Sequence, residues 1–178
     1  MTASVSLEKV TCTFAARSGD GHYTAVKDVD LAIADGEFVS VVGPTGCGKS
    51  TLLNVAAGLL RPSSGHVRIH GEPLAGINRR AGYMFQAEAL MPWRSALETV
   101  TAGLEFRGEG REAARAKGED WLARVGLAGF CDRYPHQLSG GMRKRVSLAQ
   151  MLILDPQILL MDEPFSALDV QTRQLMEN

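Results

Sequence analysis

Apolar and polar residues alternate loosely along residues 5–13 and again along 26–33, the two-residue period of strands with one covered face. Asp35-Gly36 after the second run predicts a hairpin-type turn. Two short, mainly apolar runs, Phe38 to Val42 and Ile158 to Met161, predict strands buried on both faces. Residues 67–69 and 82–85 predict further short strands, with loops at 15–21 and 62–65. A glycine-rich stretch at 43–48 leads into a helix over 50–57 that stops at Gly58. From 95 to 125 Ala, Leu, Glu and Arg dominate and the period turns helical. Residues 135–141 break that run, 142–154 resume it, and a last helix starts at Leu168. Strands alternating with helices predict an α/β fold with a mostly parallel sheet and helices on its faces.

Composition narrows the class. A chain of 178 residues fits one domain, expected to divide into 1–86, 87–140 and 141–178. Lys and Arg number 19 against 20 Asp and Glu, a net charge of −1, so a nucleic-acid partner is not expected. The same balance argues against direct binding to an anionic membrane surface. Cys12, Cys47 and Cys131 lack metal-ligand spacing and read as free thiols in a reducing compartment. The N-terminus has no apolar core, and no run approaches the roughly 18 apolar residues of a membrane span. The expectation is a cytoplasmic chain that reaches a membrane only through a partner.

The glycine-rich stretch carries the sharpest chemistry. Gly43-Pro44-Thr45-Gly46-Cys47-Gly48-Lys49-Ser50 fits G-x-x-x-x-G-K-[ST] at every position, between a predicted strand and a predicted helix. Gly46 and Gly48 can take backbone angles closed to other residues, so successive N–H groups turn inward toward an anion. The start of the helix, through Thr51, adds its dipole. Lys49 places a point charge on the β- and γ-phosphates of a nucleotide, and the Ser50 hydroxyl is placed to ligate Mg²⁺. Cys47, beside Lys49 at this helix start, reads as a reactive thiol. A guanine-reading Asn-Lys-x-Asp motif is absent, so ATP is expected rather than GTP.

Two further segments fit the same chemistry. The strand at 158–161 ends in Asp162-Glu163, at the sheet edge where ligands bind. Asp162 is expected to hold the metal, and Glu163 to polarise the attacking water as general base. Leu138-Ser139-Gly140-Gly141-Met142 opens a helix. There the Ser139 hydroxyl and the N–H groups of Gly140 and Gly141 offer a second anion site, or else an ordinary serine cap.

These motifs, with Gln86 after a strand and Ser166-Ala167-Leu168-Asp169 after the acidic pair, stand in an order that resembles the ABC ATPases over nearly the whole chain. The resemblance implies a P-loop NTPase fold with an N-terminal antiparallel β-subdomain and a helical subdomain. It also implies a head-to-tail homodimer, with each γ-phosphate between one subunit's phosphate loop and the other's Ser139-Gly140-Gly141. Gln86 would touch Mg²⁺ and report to a membrane partner, and Asp169 would brace the dimer. An aromatic after the first strand would stack on adenine: Phe14, with Tyr23 as the alternative. His136 is not the family's switch histidine, and His22, His66 and His70 show no ligand spacing.

Leu90-Met91-Pro92-Trp93-Arg94-Ser95, the run from Asp132 through Met142 to Arg145, and Asp162 through Arg173 look more specifically like the nitrate/sulfonate/taurine group of importers. That group implies two permease subunits, and a substrate-binding protein acting through them. Trp93 would lie in a permease-docking groove or pack in the helical subdomain. The alternatives are an ATP-binding fragment without hydrolysis and an ABC ATPase with no transport role. The sequence stops at Asn178, before the family's next strand and switch histidine, so the C-terminal part of the fold is expected to be missing and the strands at 38–42 and 158–161 to lack the strand between them.

Overall fold

The computed structural model describes residues 3–15, 21–87 and 89–164. Ser166 to Asp169 and the helix read from Leu168 lie outside them. The chain divides into two compact units, Met1–Ala81 and Gly82–Asn178.

In the first unit, β1 (Val5–Ala15) pairs antiparallel with β2 (His22–Ile33) on one side and β3 (Ser64–Ile69) on the other. A two-residue β4 (Glu72–Pro73) completes the order β2-β1-β3-β4. The strands run longer than the alternation suggested because cross-strand pairs such as Phe14 with Tyr23 carry the ladder past the apolar stretch. Leu7, Val10, Cys12, Val26 and Val67 point to one face, and Val55 with Leu52 of α1 (Lys49–Ala56) closes over them. Helix α1 ends where the sequence says, at Gly58, with φ of 70°. Asn78, a buried residue, donates through Nδ2 to the Ala56 carbonyl at 3.1 Å and satisfies one of that end's free acceptors.

The strand expected at 38–42 does not form. No ladder partner meets it among the described residues, and Phe38 and Val42 are 92% and 83% exposed. An apolar, β-branched run becomes a strand only when a neighbour accepts its backbone hydrogen bonds. The Asp35-Gly36 turn forms, with Glu37 N donating to the Ala34 carbonyl at 3.3 Å, but it joins no hairpin.

Strand β5 (Ala81–Met84), which enters the second unit after its first residue, and β6 (Ile158–Met161) form a two-stranded sheet. Together they are what the described residues contain of the expected core sheet. Ile158 and Leu160 are buried while Leu159 is half exposed, so β6 is covered on one face rather than on both. The helical run at 95–125 splits into α2 (Ala96–Phe106) and α3 (Arg111–Arg124), because Gly108 turns the chain at φ 82°. Ser95 caps α2 reciprocally with Glu98, whose carboxyl is held below its ordinary pKa by the Ser95 backbone N–H. Two single-turn 3-10 helices, Ala128–Phe130 and Pro135–Gln137, lead into α4 (Gly140–Leu152). Leu97, Val100, Leu104, Leu122, Leu127, Val146 and Ala149 make one core, and Leu138 joins it. Burying that leucine contributes about 1.5–3 kcal/mol and fixes the chain one residue before Ser139.

Candidate functional site

The phosphate loop leaves the exposed 38–42 segment and turns into α1. Gly48 stands at the helix N-cap with φ 99°, and no side chain caps the helix. A Cβ there would lie 2.8 Å from the Ala25 carbonyl oxygen and 2.5 Å from Val26 Cγ1. Ala25 is where the β1–β2 register slips, between the pairs Cys12–Val26 and Thr13–Thr24. The bulge and the glycine thus fit one another, and the first free N–H groups of α1 stay open to an anion. Gly46 also has positive φ, 83°. Lys49 Nζ donates to the Gly43 and Pro44 carbonyls at 2.9 and 3.0 Å and lies 4.0 Å from Cys47 Sγ. Thr45 and Ser50 are exposed and Thr51 half-buried along the same turn.

Phe14 and Tyr23, the two aromatic candidates, face each other as register partners at the open end of β1 and β2. Both are substantially exposed, and the Tyr23 hydroxyl donates to the Gly46 carbonyl at 3.3 Å. The first unit therefore gathers an aromatic edge and a phosphate loop from residues that span positions 14 to 51.

The second unit gathers the acidic strand end. Asp162 N donates to the Met84 carbonyl at 2.9 Å, which extends the β5–β6 pairing by one residue and buries Asp162. Burial, and then the Asp162 carboxylate, push Tyr83 up to about 12. Glu163 follows with φ 47°, a sparsely populated conformation for a non-glycine residue that is characteristic of functional sites. Its Oε2 accepts from Gln86 Nε2 at 2.7 Å across 77 residues of chain. Lys144 Nζ, from α4, donates to the backbone carbonyl of Gln86 at 2.6 Å. Ser139 caps α4 by accepting from Met142 N at 3.3 Å, and Arg143 Nη1 donates to the Leu138 carbonyl at 2.9 Å.

The second unit thus brings Gln86, Asp162 and Glu163 together, and also Lys144, which sequence reasoning missed. The signal was present: Lys144, Leu148 and Met151 fall at i, i+4 and i+7, so a lysine interrupts an apolar helical stripe. Asn78 gave no such signal. Ser50, the third expected metal ligand, belongs to the first unit. The expected ligands, a hydroxyl, an amide oxygen and a carboxylate, are all oxygen donors, the chemistry that suits Mg²⁺.

The family profile described as ABC transporter matches residues 26–166. The chain belongs to the ABC transporter family. A solved dimeric cassette, MJ0796 in a post-hydrolysis state bound to ADP and Pi, matches at TM-score 0.87 and 37% identity over 97% of this chain and 80% of that one. The fold is accordingly that of the P-loop ABC ATPase cassettes, with the antiparallel N-terminal sheet and the helical part expected of it. The taurine import ATP-binding protein TauB of Yersinia pestis is 48% identical over 86% of this chain and 60% of its own length. TauB of Burkholderia pseudomallei is 45% identical over 98% of this chain and 66% of its own length. An ABC transporter ATP-binding protein of Methanocaldococcus jannaschii, MJ0412, is 42% identical over 100% of this chain and 66% of its own. The chain therefore spans less than two thirds of these curated relatives.

Proposed function

We propose that this chain is the ATP-hydrolysing subunit of an importer for a small anion or organic solute of the nitrate/sulfonate/taurine type. The observation that carries the reading is the Gln86–Glu163 hydrogen bond of 2.7 Å beside buried Asp162, in a chain with a complete phosphate loop. Phe14 stacks on adenine, with Tyr23 as the alternative. The N–H groups of 45–51, with Lys49, hold the phosphates. Ser50, Gln86 and Asp162 would hold Mg²⁺, which when bound neutralises charge on the β- and γ-phosphates. Glu163 accepts a proton from water while the water oxygen bonds to the γ-phosphorus. The bond from that phosphorus to the bridging oxygen breaks, and ADP and phosphate leave.

The MJ0796 cassette is a dimer, and the same assembly is proposed here, with Ser139, Gly140 and Gly141 of one subunit completing the other's site. No helix among the described residues is long and apolar enough to cross a membrane. The subunit would sit on the cytoplasmic face through two permease subunits, and a substrate-binding protein would deliver solute to them. Trp93, at 72% exposed, is not packed into the helical core and suits a permease helix.

The natively expressed subunit, purified from its own membranes, tests the reading. Permease subunits should co-purify. Lys49→Ala should abolish binding of an ATP analogue. Glu163→Gln should bind it normally and lose about 100-fold in turnover, the scale of a lost general base. Normal turnover by Glu163→Gln, or a subunit that never associates with membrane protein, contradicts the proposal.

A further inference from the structure

Helix α4 buries a lysine on its apolar stripe. Lys144 is 5% exposed, and taking an ammonium out of water is costly unless strong acceptors meet it. Its acceptor is the Gln86 backbone carbonyl at 2.6 Å, a short charge-assisted bond. Gln86 in turn donates to Glu163, whose backbone is held at φ 47°. The first turn of the same helix holds Gly140 and Gly141, behind the Ser139 cap. A continuous line of two hydrogen bonds therefore runs from α4 to the proposed general base. A methionine at 144 would fill the stripe equally well and would leave that line open.

We infer that Lys144 is a positioning residue for hydrolysis: it transmits displacement of α4 to the Gln86–Glu163 pair, so nucleotide engaged by Ser139-Gly140-Gly141 sets the base that acts on the chain's own nucleotide. The inference rests on the ATPase reading above. Its physical basis is that a misplacement of about 1 Å in a catalytic group costs on the order of 100-fold in rate. The Gln86 backbone fixes where its side chain holds Glu163.

The test uses the natively expressed subunit in its assembled transporter. Lys144→Met is expected to keep the KM for ATP and the affinity for an ATP analogue, to lower kcat about tenfold, and to bring the Hill coefficient for ATP toward one. In a Gln86→Ala background the same substitution should cost less than about twofold more, because the line is already cut. Lys144→Gln, a shorter neutral donor, should lose about two- to fourfold in kcat, and the same cycle run with it decides the question if Lys144→Met does not accumulate. Unchanged kcat and Hill coefficient, a loss confined to KM or to melting temperature, or losses that multiply with Gln86→Ala would overturn the inference. An unsubstituted transporter without ATPase activity would instead overturn the underlying reading.

Discussion

Glycines stand at the starts of both α1 and α4, Gly48 at the N-cap of one and Gly140-Gly141 in the first turn of the other, and the two starts obey different constraints. At α1 the chain's own fold demands the residue. Gly48 sits at φ 99°, and any Cβ would press on the Ala25 carbonyl at 2.8 Å. At α4 nothing among the described residues demands it. Gly140 and Gly141 are helical, Ser139 supplies the cap, and a Cβ on Gly141 would meet no atom within 4 Å. Glycine inside a helix is destabilising by roughly 0.5–1 kcal/mol relative to alanine, so the second pair lowers local stability where it stands. The contrast teaches that one glycine motif shapes the chain itself, while the other leaves an open surface, which in the proposed assembly would receive the partner subunit's nucleotide.

Three experiments sharpen or break that contrast. Gly48→Ala should have the largest effect: nucleotide binding lost, and stability reduced by about 1–3 kcal/mol through strain at a left-handed position. A variant that binds an ATP analogue with native affinity would show that the loop tolerates the side chain. Gly141→Ala should move the two readouts in opposite directions. Denaturant unfolding should show a gain of about 0.5–1 kcal/mol, while ATP-dependent dimerisation and turnover fall at least tenfold. A loss of stability would return Gly141 to a purely structural role. The smallest effect concerns Cys47, which is exposed beside Lys49 at the start of α1. Cys12 is buried, and burial raises its pKa; burial, and then Glu119 and Asp132, raise that of Cys131. Thiolate being the reactive form, a maleimide at neutral pH should modify Cys47 first, as read by peptide mass mapping. ATP should protect it, and prior labelling of Cys131 would count against the geometry.

Much of the site was legible because its parts are contiguous. The phosphate loop, the Ser139-Gly140-Gly141 helix start and Asp162-Glu163 are each a few consecutive residues whose backbone conformation and chemistry are local properties. Helix α1 followed within one residue at each end, whereas α4 starts at Gly140, two residues before the expected 142, because the Ser139 cap lets both glycines join the first turn. The strand at 38–42 failed as an expectation because a strand is a pairing, and an apolar pattern cannot show that a partner is in place.

What the sequence by itself determined was therefore the repertoire: a glycine-rich loop of the phosphate-binding pattern with a lysine at its end, a carboxylate pair at a strand end, and glycines at a second helix start. What the tertiary structure decided was which groups restrain which. The Ala25 bulge makes Gly48 obligatory, Tyr23 reaches the Gly46 carbonyl, and Lys144 and Glu163 meet on either side of Gln86 from 58 and 77 residues away. Local conformation is set by neighbouring side chains and backbone sterics, but contacts between residues so far apart exist only once burial has packed the elements that carry them.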